Sequence, residues 1–409
     1  MIERVSFTNF KSLRKTEIAL GRFMVIVGPN GSGKTSILDG LHYLAQTTQR
    51  ALGLILKGVF SPLNLITRDA KEPMELSLSG RFRGVEAGVK IVVKRAEKLS
   101  ASTPQEWSAM VVRQWGDVEE QTSETREGAR DVSGPKPKTA PVPARSTVPT
   151  PRGPQKREVA QLARELGSAR KLRLDVERLA APSYSDEEMP RLGIDGEGLA
   201  SVLADLAGRA PESFQSIQDA AHQVVPTLER IRTRRAKVAR HEQQEIRIDD
   251  KPITHTTERP YWGQQLVLDF KGAPDVPAPL ASEGTLLVIG LLTALYTEPR
   301  PRLLLLDDID KALHPRAQGE LVAQLRKVLA MDPELQIIAT SHSPYLLDHF
   351  EPEEVLVTAL RPDGSTACAP LTEHPDFERW KSTTRTGELW SFVGEDWVTK
   401  RANDATDRP

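Results

Sequence analysis

The segment Gly28-Pro29-Asn30-Gly31-Ser32-Gly33-Lys34-Thr35 is the feature that most restricts the folds open to this chain. It satisfies the spacing G-x-x-x-x-G-K-[ST] of a loop that cradles phosphate groups. The apolar run 23–27 before it is typical of a strand buried on both faces. Apolar residues at helical spacing follow it, namely Ile37, Leu38, Leu41 and Leu44. This order predicts an α/β nucleotide-binding domain; the alternative is a chance glycine turn before a helix.

The chemistry expected of this loop is the binding of ATP with Mg²⁺. Glycines let the backbone curl so that successive N–H groups point at phosphate oxygens, and the following helix presents its positive end to them. Lys34 is expected to reach the β- and γ-phosphates, and the Thr35 hydroxyl to ligate Mg²⁺. The predicted nucleotide contacts of the loop are Asn30, Gly31, Ser32, Gly33, Lys34, Thr35 and Ser36.

A second acidic motif lies far downstream, where the apolar run 303–306 ends in Asp307 and Asp308. Asp307 is predicted to hold Mg²⁺ opposite Thr35. Asp308, next along the strand end, is predicted to orient or deprotonate the attacking water. The alternative is an ordinary strand end with a solvated acidic turn, which the upstream phosphate loop makes less favourable.

Three further residues complete the candidate site. Ser282 precedes a long apolar stretch and suits the N-cap of a helix, and Gly284 allows close approach of a backbone or a phosphate. His342 lies just after the predicted strand 336–340 and can donate a hydrogen bond at neutral pH. The alternatives are a capped helix without a ligand and a histidine that only caps a helix.

The order of these motifs resembles that of ABC-type ATPases of the RecF/SMC/OLD branch, and especially the stand-alone AAA family ATPases described as RecF-like or OLD-like. Ser282-Glu283-Gly284 corresponds to a variant ABC signature, 310–315 resembles the D-loop region, and His342 matches the switch histidine. The opening residues 7–13 look like the first strand and turn of the family. The resemblance covers roughly residues 1–95 and 195–372. One departure is Asp308, where these ATPases usually carry glutamate.

The resemblance implies a head-to-tail homodimer that closes on two ATP molecules, or pairing with a related subunit. Ser282 and Gly284 of one protomer would contact the γ-phosphate bound by the other. His342 would sense that phosphate from the cis side, and Lys34, Asp308 and His342 form the implied catalytic set. ATP and Mg²⁺ are the implied ligands, and a separately encoded effector or nuclease subunit is a possible partner.

The expected fold is α/β: an ABC-ATPase P-loop NTPase fold with a parallel core sheet, an antiparallel β-subdomain, a helical lobe and a disordered proline-rich insert. The predicted segments are the first half of the ATPase domain (1–122), the insert (123–156), a helical lobe and strand segment (157–258), the second half (259–372) and a tail (373–409). Seven prolines between residues 134 and 154 indicate the insert.

Composition narrows the remaining function classes. The net charge is −1, so no global basic field draws the molecule onto nucleic acid. A single cysteine permits no internal disulfide, and the opening residues lack the plan of a secretory signal, so a cytoplasmic location and no membrane contact are expected. OLD-type proteins often carry a C-terminal Toprim nuclease, and because only about 37 residues follow Leu371, nuclease activity is not expected of this chain.

One local basic run begins at Arg230, and its alternate members Arg230, Arg232 and Arg234 would share one face of a strand. That face is either a phosphate-binding stripe or a solvated surface, and no aromatic residue is interleaved with it. Three hypotheses stay open: an ATPase that acts on DNA in repair or recombination, a sensor ATPase that controls an effector in anti-phage defence, and a nucleotide-binding clamp with little hydrolysis.

Overall fold

The computed structural model of the chain describes residues 1–56, 61–95, 105–127, 146–147, 155–248 and 251–406. The chain divides into two units. The first comprises Met1–Lys171, Pro301–Ile309 and Asp332–Pro409, and the second comprises Leu172–Arg300 and Asp310–Met331. The sequence-based domain boundaries stay a prediction. Most of the proline-rich segment, and with it the expected disorder of the insert, lies outside the described residues.

The strands are β1 (Ile2–Phe10), β2 (Leu13–Ala19), β3 (Phe23–Val27), β4 (Met74–Phe82), β5 (Val85–Arg95), β6 (Gln105–Trp115), β7 (Val118–Glu127), β8 (Ser146–Thr147), β9 (Arg170–Leu172), β10 (Leu228–Ile248), β11 (Lys251–Phe270), β12 (Ala273–Pro277), β13 (Leu303–Leu306), β14 (Gln336–Ser341), β15 (Val355–Leu360) and β16 (Thr366–Pro370).

The α-helices are α1 (Lys34–Gln46), α2 (Leu52–Ile55), α3 (Pro62–Leu65), α4 (Gln155–Leu166), α5 (Val176–Ala180), α6 (Leu199–Arg209), α7 (Pro211–Val224), α8 (Glu283–Tyr296), α9 (Pro315–Met331), α10 (Pro344–Leu347), α11 (Phe377–Trp380), α12 (Thr386–Val393) and α13 (Asp396–Thr406). No helix of the described residues is long and apolar enough to cross a membrane.

The first unit contains a mainly parallel sheet in the order β16-β15-β3-β14-β13-β9. The pairs β13–β14, β14–β3 and β3–β15 are parallel, whereas β16 is antiparallel to β15. Every residue of β3 and β13 is buried, as expected for strands covered on both faces. The carboxyl ends of β3, β13 and β14 therefore meet at one edge of the sheet.

A second sheet of the first unit is antiparallel, with the order β2-β1-β4-β5-β6-β7-β8. Buried and more exposed residues alternate along β4, which is the period of a strand with one face in the core. Its strands confirm the expected antiparallel subdomain.

Helix α1 forms the centre of the core that joins these two sheets. Its apolar residues cluster with side chains of β1 and β4 and with those of β3 and β13. Phe7 comes so close to Gly40 that a β-carbon there would lie 2.3 Å from the phenyl ring. The helix that follows the phosphate loop is thus fixed by packing on both sides.

The second unit combines helices with a long β-hairpin. Helix α8 is buried along almost its whole length, from Gly284 to Tyr296, and packs against α5, α6 and α7. β10 and β11 pair over their full length, and β12 adds a third strand near the base of the hairpin. The parallel core sheet, the antiparallel sheet and the helical lobe predicted from the sequence are confirmed.

Candidate nucleotide-binding site

The glycine-rich loop joins β3 to α1 and has the backbone conformation that its glycines permit. Gly28, Gly31 and Gly33 have φ values of +146°, +81° and +96°, which L side chains rarely adopt. A β-carbon on Gly28 would lie 2.2 Å from the Thr358 carbonyl oxygen, and one on Gly33 would lie 2.3 Å from the Thr366 hydroxyl oxygen. Gly31 has no heavy atom within 4 Å of that position, so there the backbone conformation alone favours glycine.

Two side chains of the loop point inward. Ser32 is fully buried, and its hydroxyl lies 2.6 Å from the Thr358 hydroxyl, which donates to the Val27 carbonyl at 2.9 Å. Lys34 is also buried, and its ammonium donates to the Gly28 and Pro29 carbonyls at 2.8 and 2.9 Å. The positive charge therefore lies inside the curl of the loop.

The remaining loop residues predicted to contact nucleotide are more open. Asn30 and Gly31 are exposed at the crest of the loop, and Ser36 is half-buried on the first turn of α1. This arrangement leaves backbone N–H groups of the crest accessible next to the positive end of the helix.

The two acidic residues after β13 have different surroundings. Asp307 is 9% exposed and accepts hydrogen bonds from the Thr35 hydroxyl, at 3.1 Å to each carboxylate oxygen. Thr340, which is fully buried at the end of β14, donates to the same carboxylate at 2.9 Å. The parallel register of Leu306 with Ala339 brings these strand ends together.

Asp308 turns away from the strand direction, because its backbone has φ +56°. This left-handed conformation is more accessible to aspartate than to most residues. Its N–H donates to the Thr340 hydroxyl at 2.8 Å. Its carboxylate is 44% exposed and lies 3.9 Å from Nε2 of His342, which is 38% exposed. One buried threonine hydroxyl therefore bonds to both acidic residues.

The donor set around Thr35 and Asp307 fits Mg²⁺. It consists of oxygen atoms only, which Mg²⁺ prefers, and Mg²⁺ usually takes one or two protein oxygens and completes its shell with phosphates and water. Among the described residues, no group of three or more histidine, cysteine, aspartate or glutamate side chains could hold a metal. A metal ion that takes part of its coordination from the phosphates of a bound nucleotide needs no such group.

The sequence matches the family described as "AAA domain, putative AbiEii toxin, Type IV TA system" over residues 23–348. That match spans the glycine-rich loop, both acidic residues and His342. The chain belongs to this AAA-domain family. Its glycine-rich loop between β3 and α1 is accordingly a phosphate loop within an α/β fold.

Solved structures similar to this AAA-domain protein include three head domains of SMC proteins. A crystal structure of "the SmcHead bound to the C-winged helix domain of ScpA" is 14% identical, with a TM-score of 0.47, and covers 90% of this chain and 96% of that one. The SMC head domain from Thermotoga maritima is 12% identical, with a TM-score of 0.42 and coverages of 90% and 98%.

The third is an Smc head domain with an extended coiled coil, bound to the C-terminal domain of ScpA, from Pyrococcus furiosus. It is 12% identical, with a TM-score of 0.47 and coverages of 90% and 95%. No curated protein sequence matches the AAA-domain protein.

The predicted signature residues of the AAA-domain protein lie in the second unit. Ser282 is the N-cap of α8: its hydroxyl accepts from the Thr285 N–H at 3.3 Å and lies 2.7 Å from the Thr285 hydroxyl. Gly284 is buried, and a β-carbon there would lie 2.6 Å from the Ala312 carbonyl oxygen. The start of α8 is thus packed tightly against the segment that follows the acidic strand end.

Sequence reasoning assigned no role to Thr340 or Thr358, although both are fully buried and bonded to the site. A signal was available for both residues. Thr340 directly follows the apolar residues 337–339 of β14, and Thr358 interrupts the apolar strand β15; a buried hydroxyl needs a hydrogen-bond partner. The partners, Asp307 and Ser32, come from distant parts of the chain.

Proposed function

We propose that this protein is a Mg²⁺-dependent ATPase whose phosphate loop binds ATP and whose Asp308 orients the attacking water. The observation that carries the proposal is the hydrogen-bonded chain from Thr35 through Asp307 and Thr340 to Asp308. It connects Thr35, which is expected to ligate the metal, to Asp308, which is expected to orient the attacking water. An acidic turn without a function would not need a buried threonine to bond both carboxylate residues.

On ATP binding, Lys34 exchanges the Gly28 and Pro29 carbonyls for oxygens of the β- and γ-phosphates. The loop N–H groups and the start of α1 hold the remaining phosphate oxygens. Thr35 and Asp307 would hold Mg²⁺, which would supply positive charge to offset the negative charge that develops on the phosphates during transfer. The fixed backbone of the loop means that little ordering is needed when the phosphates arrive.

Asp308 and His342 are the proposed pair at the γ-phosphate. The half-exposed carboxylate of Asp308 can accept a hydrogen bond from water, which orients the water for attack. His342, 3.9 Å away, can donate to the γ-phosphate or to the same water. Because aspartate is one methylene shorter than the usual glutamate, we expect slow turnover by the isolated chain.

We further propose that two protomers close head to tail on two ATP molecules. Ser282 and Gly284 lie at the start of α8, and a helix N-terminus attracts phosphate through its N–H groups and dipole. Contacts of this helix start with a γ-phosphate bound by the partner exist only in the closed dimer. They supply the difference in affinity that an ATP-driven switch requires.

The test is a measurement of hydrolysis and of molar mass in solution, with and without ATP and Mg²⁺. Asp308→Asn keeps the size of the side chain and removes its charge, so we expect an ATP-bound dimer with little hydrolysis. Lys34→Ala should remain monomeric in ATP. An Asp308→Asn protein that stays monomeric at saturating ATP would contradict the dimer, and full hydrolysis by it would contradict the role of Asp308.

A nucleotide clamp with little hydrolysis is the second candidate, and the short Asp308 side chain favours it. Its signature is ATP-dependent dimerisation of the wild-type protein without hydrolysis above that of Lys34→Ala. Hydrolysis by the wild-type protein that stops in Asp308→Asn excludes the clamp.

The cellular role has two candidates. One is a process on DNA, such as repair or recombination; the other is control of a separately encoded effector, as in anti-phage defence. The family description names a toxin and a toxin–antitoxin system, which supports the second. ATP-dependent co-purification with the product of a neighbouring gene would support effector control, whereas stimulation of hydrolysis by DNA would support the first.

A further inference from the structure

The hairpin of β10 and β11 is unusually long, with strands of 21 and 20 residues against the usual 3–10. At about 3.4 Å per residue such a strand extends ~70 Å. Cross-strand partners share a face, and the register pairs Arg235 with Gln264 and Lys237 with Trp262. The basic run that begins at Arg230 therefore spreads over both faces of the hairpin.

The part of the basic run nearest the base of the hairpin is paired with carboxylates of the same sheet. Arg232 donates to Asp269 at 2.8 Å and to Asp275 at 2.6 Å. These hydrogen bonds raise the pKa of Arg232, and the bond from Arg232 lowers the pKa of Asp269. Arg230 lies directly opposite Asp269. Arg232 thus stabilises the base of the hairpin. Within the phosphate-binding stripe that the sequence suggested, this residue has a structural role.

The outer part of the run has a different environment. The Arg235 guanidinium lies 5.1 Å from the centre of the Trp262 ring, and the Lys237 ammonium lies 5.8 Å from it. Trp262 is 59% exposed, and both cations are exposed. Among the side chains that the structure describes, no carboxylate lies within 4 Å of either cation. The aromatic residue that the basic run lacks in sequence comes from the opposite strand.

The strand that carries Trp262 is also held by contacts with Ser183 and Tyr184. The Ser183 and Gln264 backbones exchange two hydrogen bonds of 2.8 Å, and the Tyr184 ring stacks on Tyr261 at 4.8 Å. Gly263 allows the contact, because a β-carbon there would lie 2.3 Å from the Ser183 carbonyl oxygen. The strand that presents Trp262 is thus fixed before any ligand arrives.

We propose that Arg235, Lys237 and Trp262 form a binding surface for single-stranded nucleic acid. An exposed indole ring provides a stacking platform for a base of any sequence, and cations beside it attract the phosphates. Arg235 and Lys237 are about 6.6 Å apart along one strand face, which suits neighbouring phosphates of one extended strand. The surface belongs to the second unit, and binding to it does not require ATP hydrolysis. The proposed ATPase activity and the proposed nucleic-acid binding can therefore fail separately.

The experiment measures binding of a fluorescein-labelled single-stranded DNA oligonucleotide, the RNA of the same sequence, and the duplex, across a salt series. We expect single strands to bind more tightly than the duplex, with affinity that falls as salt rises. Trp262→Ala should weaken binding about 5- to 150-fold, the cost of one lost stacking contact, and Trp262→Phe should restore part of it. Arg235→Ala/Lys237→Ala should reduce the salt slope by about 1.4.

Intrinsic fluorescence gives a readout specific to stacking, because a base on the indole quenches it. The wild-type protein should show quenching by the oligonucleotide that Trp262→Phe lacks. Matched controls are Lys15→Ala/Arg68→Ala, which removes two exposed cations elsewhere, and Phe392→Ala, which removes an aromatic residue that is 81% exposed. Both should bind like the wild-type protein, and the circular dichroism of every variant should match it.

Four results would overturn the proposal. These are no binding of either single strand, unchanged binding by Trp262→Ala, tighter binding of the duplex than of the single strand, and displacement of the oligonucleotide by polyglutamate at an equal charge concentration. The last result would identify an acidic protein as the partner, because polyglutamate offers charge without a base to stack.

Discussion

Thr340→Val tests whether one buried hydroxyl controls the metal site. The substitution keeps the shape of the side chain and removes a hydroxyl that donates to Asp307 at 2.9 Å and accepts from the Asp308 N–H at 2.8 Å. Thr35 also bonds Asp307, but in the proposed complex its hydroxyl turns to Mg²⁺. Thr340 is then the threonine that still holds the Asp307 carboxylate in place.

The size of the effect follows from that single contact. A hydrogen bond to a charged group contributes about 1.5–3 kcal/mol. Loss of a residue that orients a metal ligand typically weakens metal affinity or activity about 10- to 100-fold, which corresponds to about 1.4–2.7 kcal/mol. The two ranges agree, so we expect the Mg²⁺ concentration for half-maximal ATP hydrolysis to rise about 10- to 100-fold in Thr340→Val.

The assay is hydrolysis at fixed saturating ATP over a Mg²⁺ series, with binding of a fluorescent ATP analogue measured in parallel. Thr340→Ser should recover most of the wild-type Mg²⁺ requirement, because it keeps the hydroxyl. Thr293→Val is the matched control: Thr293 is fully buried in α8, and its hydroxyl donates to the Ile289 carbonyl of the same helix. An unchanged Mg²⁺ requirement in Thr340→Val, or an equal rise in Thr293→Val, would show that the Thr340 hydroxyl does not hold the metal ligand in place.

Two other predictions concern the phosphate loop and the helix that follows it. Gly33→Ala should abolish binding of a fluorescent ATP analogue, because its β-carbon would lie 2.3 Å from the Thr366 hydroxyl. The β-carbon of Gly31→Ala would meet no atom within 4 Å, so this variant should cost only about 1–2 kcal/mol of backbone strain. Equal losses of nucleotide affinity in the two variants would contradict this prediction. Burial lowers the pKa of His42 to about 4 from an unfolded 6.5. The unfolded chain therefore binds a proton between these values that the folded chain does not, and the free energy of unfolding should fall by about 2 kcal/mol from pH 7 to pH 5. In denaturant titrations, the free energy of unfolding of His42→Leu should not show this fall between pH 7 and pH 5. If its free energy of unfolding changes with pH in parallel with that of the wild-type protein, His42 is not the cause of the fall.

Sequence patterns predicted the local elements of the nucleotide site well. The buried strand β3, the loop and helix α1 occur where the apolar run, the glycines and the helical spacing indicate. The same holds for β13, β14 and α8, whose first residue follows the predicted N-cap Ser282. These elements are short-range features, because burial period and capping depend on residues a few positions apart.

The hairpin shows why other features were not predictable. The basic run at 230–240 contains no aromatic residue, and Trp262 joins it only through the register of β10 with β11. The register also places Asp269 opposite Arg230 and within hydrogen-bonding distance of Arg232, which separates a structural cation from the exposed ones. Alternation along one strand cannot reveal which residues its partner strand will place beside it.

By itself, the sequence determined the identity of the phosphate loop, because only particular residue types at fixed spacing can curl around phosphate. The tertiary structure decided which residues support that loop. Thr358 and Thr340 reach Ser32 and Asp307 only because β15 and β14 lie beside β3 and β13 in a parallel sheet. Residues 326 and 33 positions apart become neighbours through strand order, and strand order is a property of the folded chain.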